Sequence, residues 1–200
     1  MGRVVSDISV TIDGYASGVG QSLERPFGDL DETWLHGWMF DEDHAAESVD
    51  ERAAITAAGA FIMGRNMFGP DRGAWDLGWR GWWGDDPPYH APVFVLAHRP
   101  RAHLKMAGGT TFHFVTDGIH AALERARDAA RDRDVAIAGG PATLNQYLAA
   151  GLVDELRLHV APHVAGAGER VFEGVRSQEW ERVSVRPVTL TTHVVLRPRR

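Results

Sequence analysis

The stretch Val135-Ala-Ile-Ala-Gly139-Gly140-Pro141-Ala-Thr-Leu-Asn-Gln-Tyr-Leu148 runs a short β-branched segment into two glycines, and a proline then opens a helical pattern. Glycines let a backbone approach a ligand closely, and the first turn of a helix presents unpaired N–H groups to an anion. Proline suits the first helical position because its missing N–H has no intrahelical partner there. This junction fits a phosphate-bearing ligand, and it also fits a plain tight turn. Two other strand ends resemble it: Phe61-Ile-Met-Gly64-Arg65-Asn66 and Val93-Phe-Val-Leu-Ala-His98-Arg99-Pro100. The planar fork of arginine bonds two phosphate oxygens at once. Together with Thr116-Asp117-Gly118, these junctions would share one end of a parallel sheet, where open α/β sheets bind ligands. Their convergence favours a cofactor track over a set of unrelated surface charges.

A second kind of chemistry lies in the first strand pattern, Arg3–Ile12. Ile8, Val10 and Ile12 alternate with Asp7, Ser9 and Thr11, which places the polar three on one face. A strand this early in an α/β chain is expected to be central and apolar on both faces, and Asp is unfavourable within strands. The pattern therefore predicts either a strand lining a wet cleft or an edge strand with a solvated face. Glu155–Pro162 repeats it, with Arg157 and His159 opposite Leu156, Leu158 and Val160.

The elements that must position these residues alternate. Strand patterns occupy Arg3–Ile12, Ala60–Met63, Val93–Leu96, Thr111–Val115, Val135–Ala138, Glu155–Pro162, Glu181–Pro187 and Thr191–Arg197. The clearest helix is Gly118–Ala130, with Thr116 or Asp117 able to cap it. The helix after Gly140 should end at Gly151. An alanine-rich helix over about Ser48–Ala58 is expected to pack closely. The alternation predicts one α/β domain spanning residues 1–200, with a mostly parallel central sheet, helices on both faces and a C-terminal antiparallel hairpin around Arg186-Pro-Val-Thr-Leu-Thr. Asp13–Asp43 reads mostly as a long loop. Gly69–Pro92, with Trp75, Trp79, Trp82 and Trp83, reads as a second one, forming either a ligand wall or an oligomer contact.

Composition narrows the partners. The chain has 200 residues, 44% of them hydrophobic and 24% charged, a profile of globular rather than disordered proteins. No apolar run is long enough for a bilayer, and the N-terminus lacks the apolar core of a signal peptide. The absence of cysteine excludes disulfides and thiolate chemistry and suits the cytoplasm. A net charge of −6 argues against nucleic acid as a partner, and the Arg197-Pro-Arg-Arg200 tail reads as a solvated end. His159 and His163, or His98 and His103, lack the third ligand a metal needs, so no metal site is expected. No G-x-G-x-x-G follows the first strand, which weighs against an ordinary Rossmann domain.

The order of these motifs resembles the dihydrofolate reductase superfamily, in particular the branch similar to the reductase domain of riboflavin-biosynthesis deaminase–reductases. The matching pieces are Val10-Thr-Ile-Asp13-Gly14-Tyr, Phe61-Ile-Met-Gly64-Arg65, Val93-Phe-Val-Leu with a polar pair after it, and Ile137-Ala-Gly139-Gly140. Asp154-Glu-Leu-Arg-Leu-His159-Val-Ala-Pro and Gly166-Ala-Gly-Glu-Arg-Val-Phe172 complete the set. The resemblance implies an NADPH-dependent reductase, cytoplasmic and homodimeric, acting on a small substrate. It assigns Gly64 and Arg65 to the adenosine-side phosphates. Arg65 would contact the pyrophosphate or the 2′-phosphate. His98 and Arg99 would sit around the 2′-phosphate and adenine, where a second cation favours NADPH, and Thr116 is counted among the cofactor-binding residues. Gly139, Gly140, Pro141 and Ala142 would pass under the pyrophosphate, the Gly139–Gly140 peptide being cis in many members. Ser9 and Ala16 match positions whose backbone holds the nicotinamide carboxamide, and Asp13-Gly14 shapes the turn beside them.

Departures from the pattern point to a different substrate from dihydrofolate. Folate reductases carry an acidic residue early in the first helix, for which Asp41, Asp43 and Glu47 are the candidates here. Met67 and Leu144 replace a threonine and a tyrosine, Asp7 stands where an apolar pterin contact is usual, and His159 stands for a threonine. Hydride transfer to C=O or C=N must be completed by a proton, and histidine titrates near neutrality. Asp7 and His159 are therefore the candidate catalytic pair, binding the polar end of a pterin- or pyrimidinone-like substrate and relaying that proton. A buried ion pair of purely structural use is the alternative for the same two residues. At the level of the whole chain, the alternative is a catalytically silent NADPH-binding or regulatory protein.

Overall fold

The fold was analysed in a computed structural model that describes residues 2–69 and 73–199. Pro70–Arg72 of the second tryptophan segment and Arg200 of the basic tail lie outside the described residues.

Among the described residues, eleven strands and five α-helices follow in chain order: β1 (Val4–Thr11), β2 (Tyr15–Ser17), α1 (Glu32–Phe40), α2 (Val49–Ile55), β3 (Ala60–Gly64), α3 (Arg65–Phe68), β4 (Pro92–Leu96), β5 (Leu104–Lys105), β6 (Thr111–Val115), α4 (Gly118–Ala130), β7 (Val135–Gly139), α5 (Pro141–Ala149), β8 (Glu155–Ala161), β9 (Glu169–Arg170), β10 (Trp180–Pro187) and β11 (Thr192–Pro198). The main sheet has the order β10-β11-β8-β1-β7-β3-β4-β6-β5. Its six middle strands, β8 to β6 in that order, pair in parallel, and the β10–β11 hairpin closes one edge antiparallel. The short antiparallel β5 at the other edge and the β2–β9 pair beside the sheet were not foreseen; two- and three-residue strands carry too little periodicity to read.

Register divides the side chains cleanly. Val4, Ile8 and Val10 share a face with Ile62, Ile137 and Leu156, and α4 and α5 cover it with Ala122, Leu123, Ala126, Leu144, Tyr147 and Leu148. The opposite face splits in two. Phe61, Met63, Val93, Val95, Phe112 and Phe114 are covered by Phe68 of α3 and by Trp75, Trp79 and Trp83. Over β1 and β8 the same face is polar, carrying Asp7, Ser9, Arg157 and His159, and α1 packs there. Helices thus lie on both faces, and the tryptophan segment replaces a helix over part of one. Those tryptophans are half-buried and packed internally, which removes their exposure as an argument for an oligomer.

Several expectations need correcting. The reading of Asp13–Asp43 as loop missed α1. Asp31 caps that helix by accepting the Thr33 N–H at 2.9 Å, and Leu35 and Trp38 supply its buried face. Gly37 within it and the glycines before it masked the pattern. The alanine-rich segment forms a 3₁₀ turn (Ala45–Ser48) and then α2, which has no buried residue; alanines alone gave it no apolar stripe to bury. Neither Thr116 nor Asp117 makes a side-chain cap on α4, because the Asp117 carboxylate pairs with Arg125 instead. Ile12 lies beyond β1 and is exposed. Gly151 does sit past α5 with a positive φ of 67°, the conformation that favours glycine at a helix end.

Candidate active site

The ladder between β1 and β7 stops after Val5 and Ala136, and Ser6 then donates its hydroxyl proton to the Ile137 carbonyl at 2.8 Å. Beyond that point the two strands frame a cleft of about 1010 Å³ at the carboxyl ends of the parallel strands. Such gaps form where neighbouring strands send their connections to opposite faces of the sheet, and they are the usual ligand crevices of open α/β sheets.

One half of the cleft is built from the four junctions. Gly64 and Arg65 follow β3, His98 and Arg99 follow β4, Thr116 follows β6, and Gly139–Ala142 join β7 to α5, all of them lining the same space. The Gly139–Gly140 peptide is cis, with Gly139 at φ 118°. Gly140 precedes Pro141, the first residue of α5, and no side chain caps that helix; Pro141 brings no N–H, and the N–H groups of Thr143 and Leu144 donate to the Gly140 carbonyl at 3.0 and 3.1 Å. At Gly64 a Cβ would lie 2.3 Å from the Thr143 hydroxyl oxygen in the first turn of α5. Gly64→Ala should therefore force α5 away from β3 and lower stability by about 1–3 kcal/mol, the usual cost of overpacking. Thermal unfolding checks this, and an unchanged midpoint would show that Thr143 moves aside freely.

A tryptophan organises the two arginines. The Arg65 guanidinium lies 3.4 Å from the Trp75 ring centre, and the Trp75 indole N–H donates to the Arg99 carbonyl at 3.0 Å. Trp75 therefore links the β3 and β4 junctions through stacking and one hydrogen bond. Sequence reading placed Trp75 only in an undefined loop, since nothing local signals a contact ten residues from Arg65 and twenty-four from Arg99.

The other half is lined by Asp7, Ile8 and Ser9 from β1, Ala16 and Ser17 from β2, Phe27, Glu32 and His36 around α1, and Trp82 and Trp83. Burial pushes the His36 imidazole down to about 4, against a hydrogen bond to the Glu32 backbone, so it stays neutral at pH 7. Glu32 is the first residue of α1 and exposed. Of the acidic residues near this helix, Glu32 is the one in its first turn. Asp41, Asp43 and Glu47 all follow the end of α1. Missing the helix meant missing its first carboxylate.

Below the cleft wall lies a buried polar row. The Asp7 side chain is 7% exposed, with Oδ2 3.2 Å from Arg157 Nη1 and Oδ1 3.5 Å from His159 Nε2. Asp7 lines the cleft and His159 does not. The expectation that both would face the cleft fails for His159, because Trp38 of α1 packs over it with ring centres 4.3 Å apart. The Trp38 N–H donates to Ser9 Oγ at 3.0 Å, fixing that roof in place. The structure brings the pair together and puts only one member where a ligand could touch it. At the turn after β1, Asp13 accepts from the Thr11 hydroxyl and from the Gly166 and Ala165 N–H groups, which lowers its carboxyl to about 2. Its negative charge ties the β1–β2 turn to the segment beside β9.

His163 stacks on Trp34 at 4.5 Å, and His103 meets His113 on the sheet edge. Among the described residues no three His, Cys, Asp or Glu side chains converge as metal ligands. No helix among them is long and apolar enough to cross a membrane.

A nine-stranded sheet opened between β1 and β7, with glycine-bearing strand ends around the opening, defines a dihydrofolate reductase-like α/β domain. The chain belongs to the RibD C-terminal domain family, whose model matches residues 3–194. Among solved structures it is similar to a protein of Shewanella sp. PV-4 ascribed to riboflavin biosynthesis, with 21% identity over 99% of both chains and a TM-score of 0.69. RibD of Acinetobacter baumannii is 17% identical over all of this chain with a TM-score of 0.63, and this chain spans only 59% of that protein. Dihydrofolate reductase of Enterococcus faecalis, solved with NADP(H), is 14% identical over all of this chain and 98% of the other, with a TM-score of 0.60. Identities this low speak for the fold alone. Comparison with curated proteins gives no match.

Proposed function

We propose that the protein is an NADPH-dependent reductase of a C=O or C=N group in a small heterocycle of pterin or pyrimidinone type. The observation that carries this is a single cleft in which four glycine- or arginine-bearing strand ends meet, at its other end, a desolvated carboxylate. Membership of a family named for a riboflavin-pathway reductase, and likeness to a reductase solved with NADP(H), support the same reading.

The residues present fit a dinucleotide. Gly64 leaves no room for a side chain, Gly139–Gly140 expose backbone, and Arg65 and Arg99 supply two cations in an otherwise acidic protein. In this reading Gly64, Arg65 and Gly139–Ala142 hold the phosphates, His98, Arg99 and Thr116 surround the adenosine end, and Ser9 and Ala16 flank the nicotinamide. NADPH, when bound, supplies the hydride. Phe27, Trp82 and Trp83 offer aromatic walls to a flat substrate, and Glu32 accepts hydrogen bonds from its N–H groups. Asp7 holds the proton that completes the reduction, and His159 passes it to Asp7 from behind. The role assigned to Arg99 has a specific consequence. Arg99→Ala should weaken NADPH binding by about 10- to 100-fold, as expected for a lost charge-assisted contact, and NADH binding far less. Equal losses for the two dinucleotides would remove the 2′-phosphate assignment.

The activity itself is tested by following NADPH consumption against a panel of pterins, pyrimidinones and reactive carbonyls. Turnover with at least one member is expected. Binding of NADPH without turnover of any would favour the regulatory alternative. A cytoplasmic homodimer belongs to the proposal, resting on the family resemblance and on the exposed Val183 and Val185 of the edge strand β10. A clean monomer in light scattering would refute the dimer.

A further inference from the structure

The polar row under Trp38 continues past His159. His159 Nδ1 lies 2.8 Å from His193 Nδ1 of β11, and His193 Nε2 lies 2.9 Å from the Ser48 hydroxyl in the 3₁₀ turn before α2. The two histidines face each other across adjacent strands, since His193 is the register partner of His159. All three side chains are buried: Ser48 is 0%, His159 2% and His193 3% exposed. The row therefore runs from the cleft wall at Asp7, across β8 and β11, to the opposite flank of the sheet.

We propose that Ser48, His193 and His159 form a buried proton relay that resupplies Asp7 from the far flank of the sheet while cofactor and substrate fill the cleft. The inference rests on the reading of Asp7 as the proton donor, and it extends that reading to two residues outside the cleft. Its first support is a constraint on protons. Two imidazole nitrogens 2.8 Å apart need one proton between them, one ring donating through Nδ1 and the other accepting. The rings must then hold complementary tautomers, and only two arrangements of the row satisfy every contact. In the first, Ser48 Oγ–H donates to His193 Nε2, His193 Nδ1–H donates to His159 Nδ1, and His159 Nε2–H points at Asp7. In the second, each proton has moved one place along.

The second support is the end of the row. His159 Nε2 and Asp7 Oδ1 are both buried, and neither has a hydrogen-bond partner among the described residues. They stand 3.5 Å apart, a few tenths of an ångström outside hydrogen-bond range, so a small approach completes the chain. The third is that His193, between Ser48 and His159, stays uncharged at neutral pH. Burial, with the nearby His159 adding to it, pushes the His193 imidazole down to about 4. The charged groups around the pair are Asp7 and Arg157 toward the cleft, Glu51 of α2 and Arg186 of β10 on the far flank, and the neutral His36 on α1.

The transfer balances. Ser48 is buried, but Glu47 and Val49 on either side of it are exposed, so a brief opening of the 3₁₀ turn admits a hydronium, which gives a proton to Ser48 Oγ as the hydroxyl proton passes to His193 Nε2. His193 Nδ1–H passes to His159 Nδ1, and His159 Nε2–H passes to Asp7 Oδ1. The solvent acid is left deprotonated, Asp7 is left protonated, and each ring ends neutral in its other tautomer. Return to the first tautomers, before the next proton moves, sets the ceiling on the rate.

Nitrogen-15 NMR of the full chain tests this without any hydride acceptor. A scalar coupling between the Nδ1 atoms of His159 and His193 is expected, together with solvent exchange of the His159 ring proton that depends on Ser48. Ser48→Ala should slow that exchange by about tenfold or more, the equivalent of about 1.4 kcal/mol of barrier, while Ser48→Thr, which keeps the hydroxyl, holds the wild-type rate. His193→Gln should remove the coupling and slow exchange as well. Should that variant not fold, Ser48→Ala, which loses one oxygen atom, still decides the matter. Unchanged exchange in Ser48→Ala, or no coupling in the wild type, overturns the relay. Failure of Asp7 as donor would show separately, as undiminished hydride transfer in Asp7→Asn.

Discussion

Asp7→Asn should slow hydride transfer to substrate by about 10² to 10⁴, the range of a lost general acid, with NADPH affinity unchanged. The reason is positional. Asp7 is a cleft-lining carboxylate that meets the buried row, through Arg157 on one oxygen and His159 on the other. Asparagine keeps the shape and loses the transferable proton. Glu32→Gln provides the contrast. Glu32 is exposed at the start of α1, so its loss should raise KM for the substrate more than it lowers kcat. Single-turnover measurement of NADPH oxidation separates the two variants. Wild-type rates in Asp7→Asn, with a collapse in Glu32→Gln, would move the proton donor to α1.

Glu155→Gln should cost about 3 kcal/mol of stability, near the low end for breaking a buried ion pair. Glu155 is 4% exposed and accepts from Arg3 Nη1 at 2.6 Å, Arg157 Nε at 2.8 Å and Arg197 Nη2 at 2.8 Å. Arg3 and Arg197 are about half exposed and can turn to water, whereas Arg157 is 17% exposed and would stay. For a chain of this length that loss corresponds to a fall of about 6–12 °C in Tm. The pH dependence has a definite sign. Burial works to raise the Glu155 carboxyl, but the hydrogen bonds from Arg197 and Arg157 and the charges of Arg157 and Arg3 outweigh it and hold it below its ordinary value. A carboxyl lowered by folding stabilises at neutral pH and loses that contribution as pH falls through its folded value. The gap in Tm between wild type and Glu155→Gln should therefore be full at pH 7 and narrow below about pH 4. A gap that stays constant over that range would show that the carboxylate charge is not what the arginines require.

The same row shows where sequence was readable and where it was not. Alternation exposed Asp7, Ser9, Arg157 and His159 because period two is a strong signal and polar residues in a central strand are unusual. It said nothing of His193 or Ser48, whose contacts with the row depend on how a hairpin and a 3₁₀ turn fold onto the sheet. Gly64, Arg65, His98, Arg99 and Gly139–Ala142 were legible because each ends a strand in a parallel sheet, and topology alone brings such ends together. Trp75 was not, because its stacking on Arg65 spans the irregular segment. Helix α1 was hidden by Gly37 and by the glycines preceding it, and Glu32 was hidden with it. The main strands of the central sheet appeared within a residue of their sequence-read bounds, whereas the two-residue strands β5 and β9 carried no pattern to find.

The central claim is that the cleft between β1 and β7 holds NADPH along the strand ends of β3, β4, β6 and β7. Calorimetric titration of the 200-residue chain with NADPH and with NADH, followed in parallel by tryptophan emission because Trp82 and Trp83 line the cleft, tests it most directly. Saturable binding of one NADPH per chain is expected, tighter than NADH by about tenfold or more through Arg99. Absence of saturable binding by either dinucleotide would contradict the account.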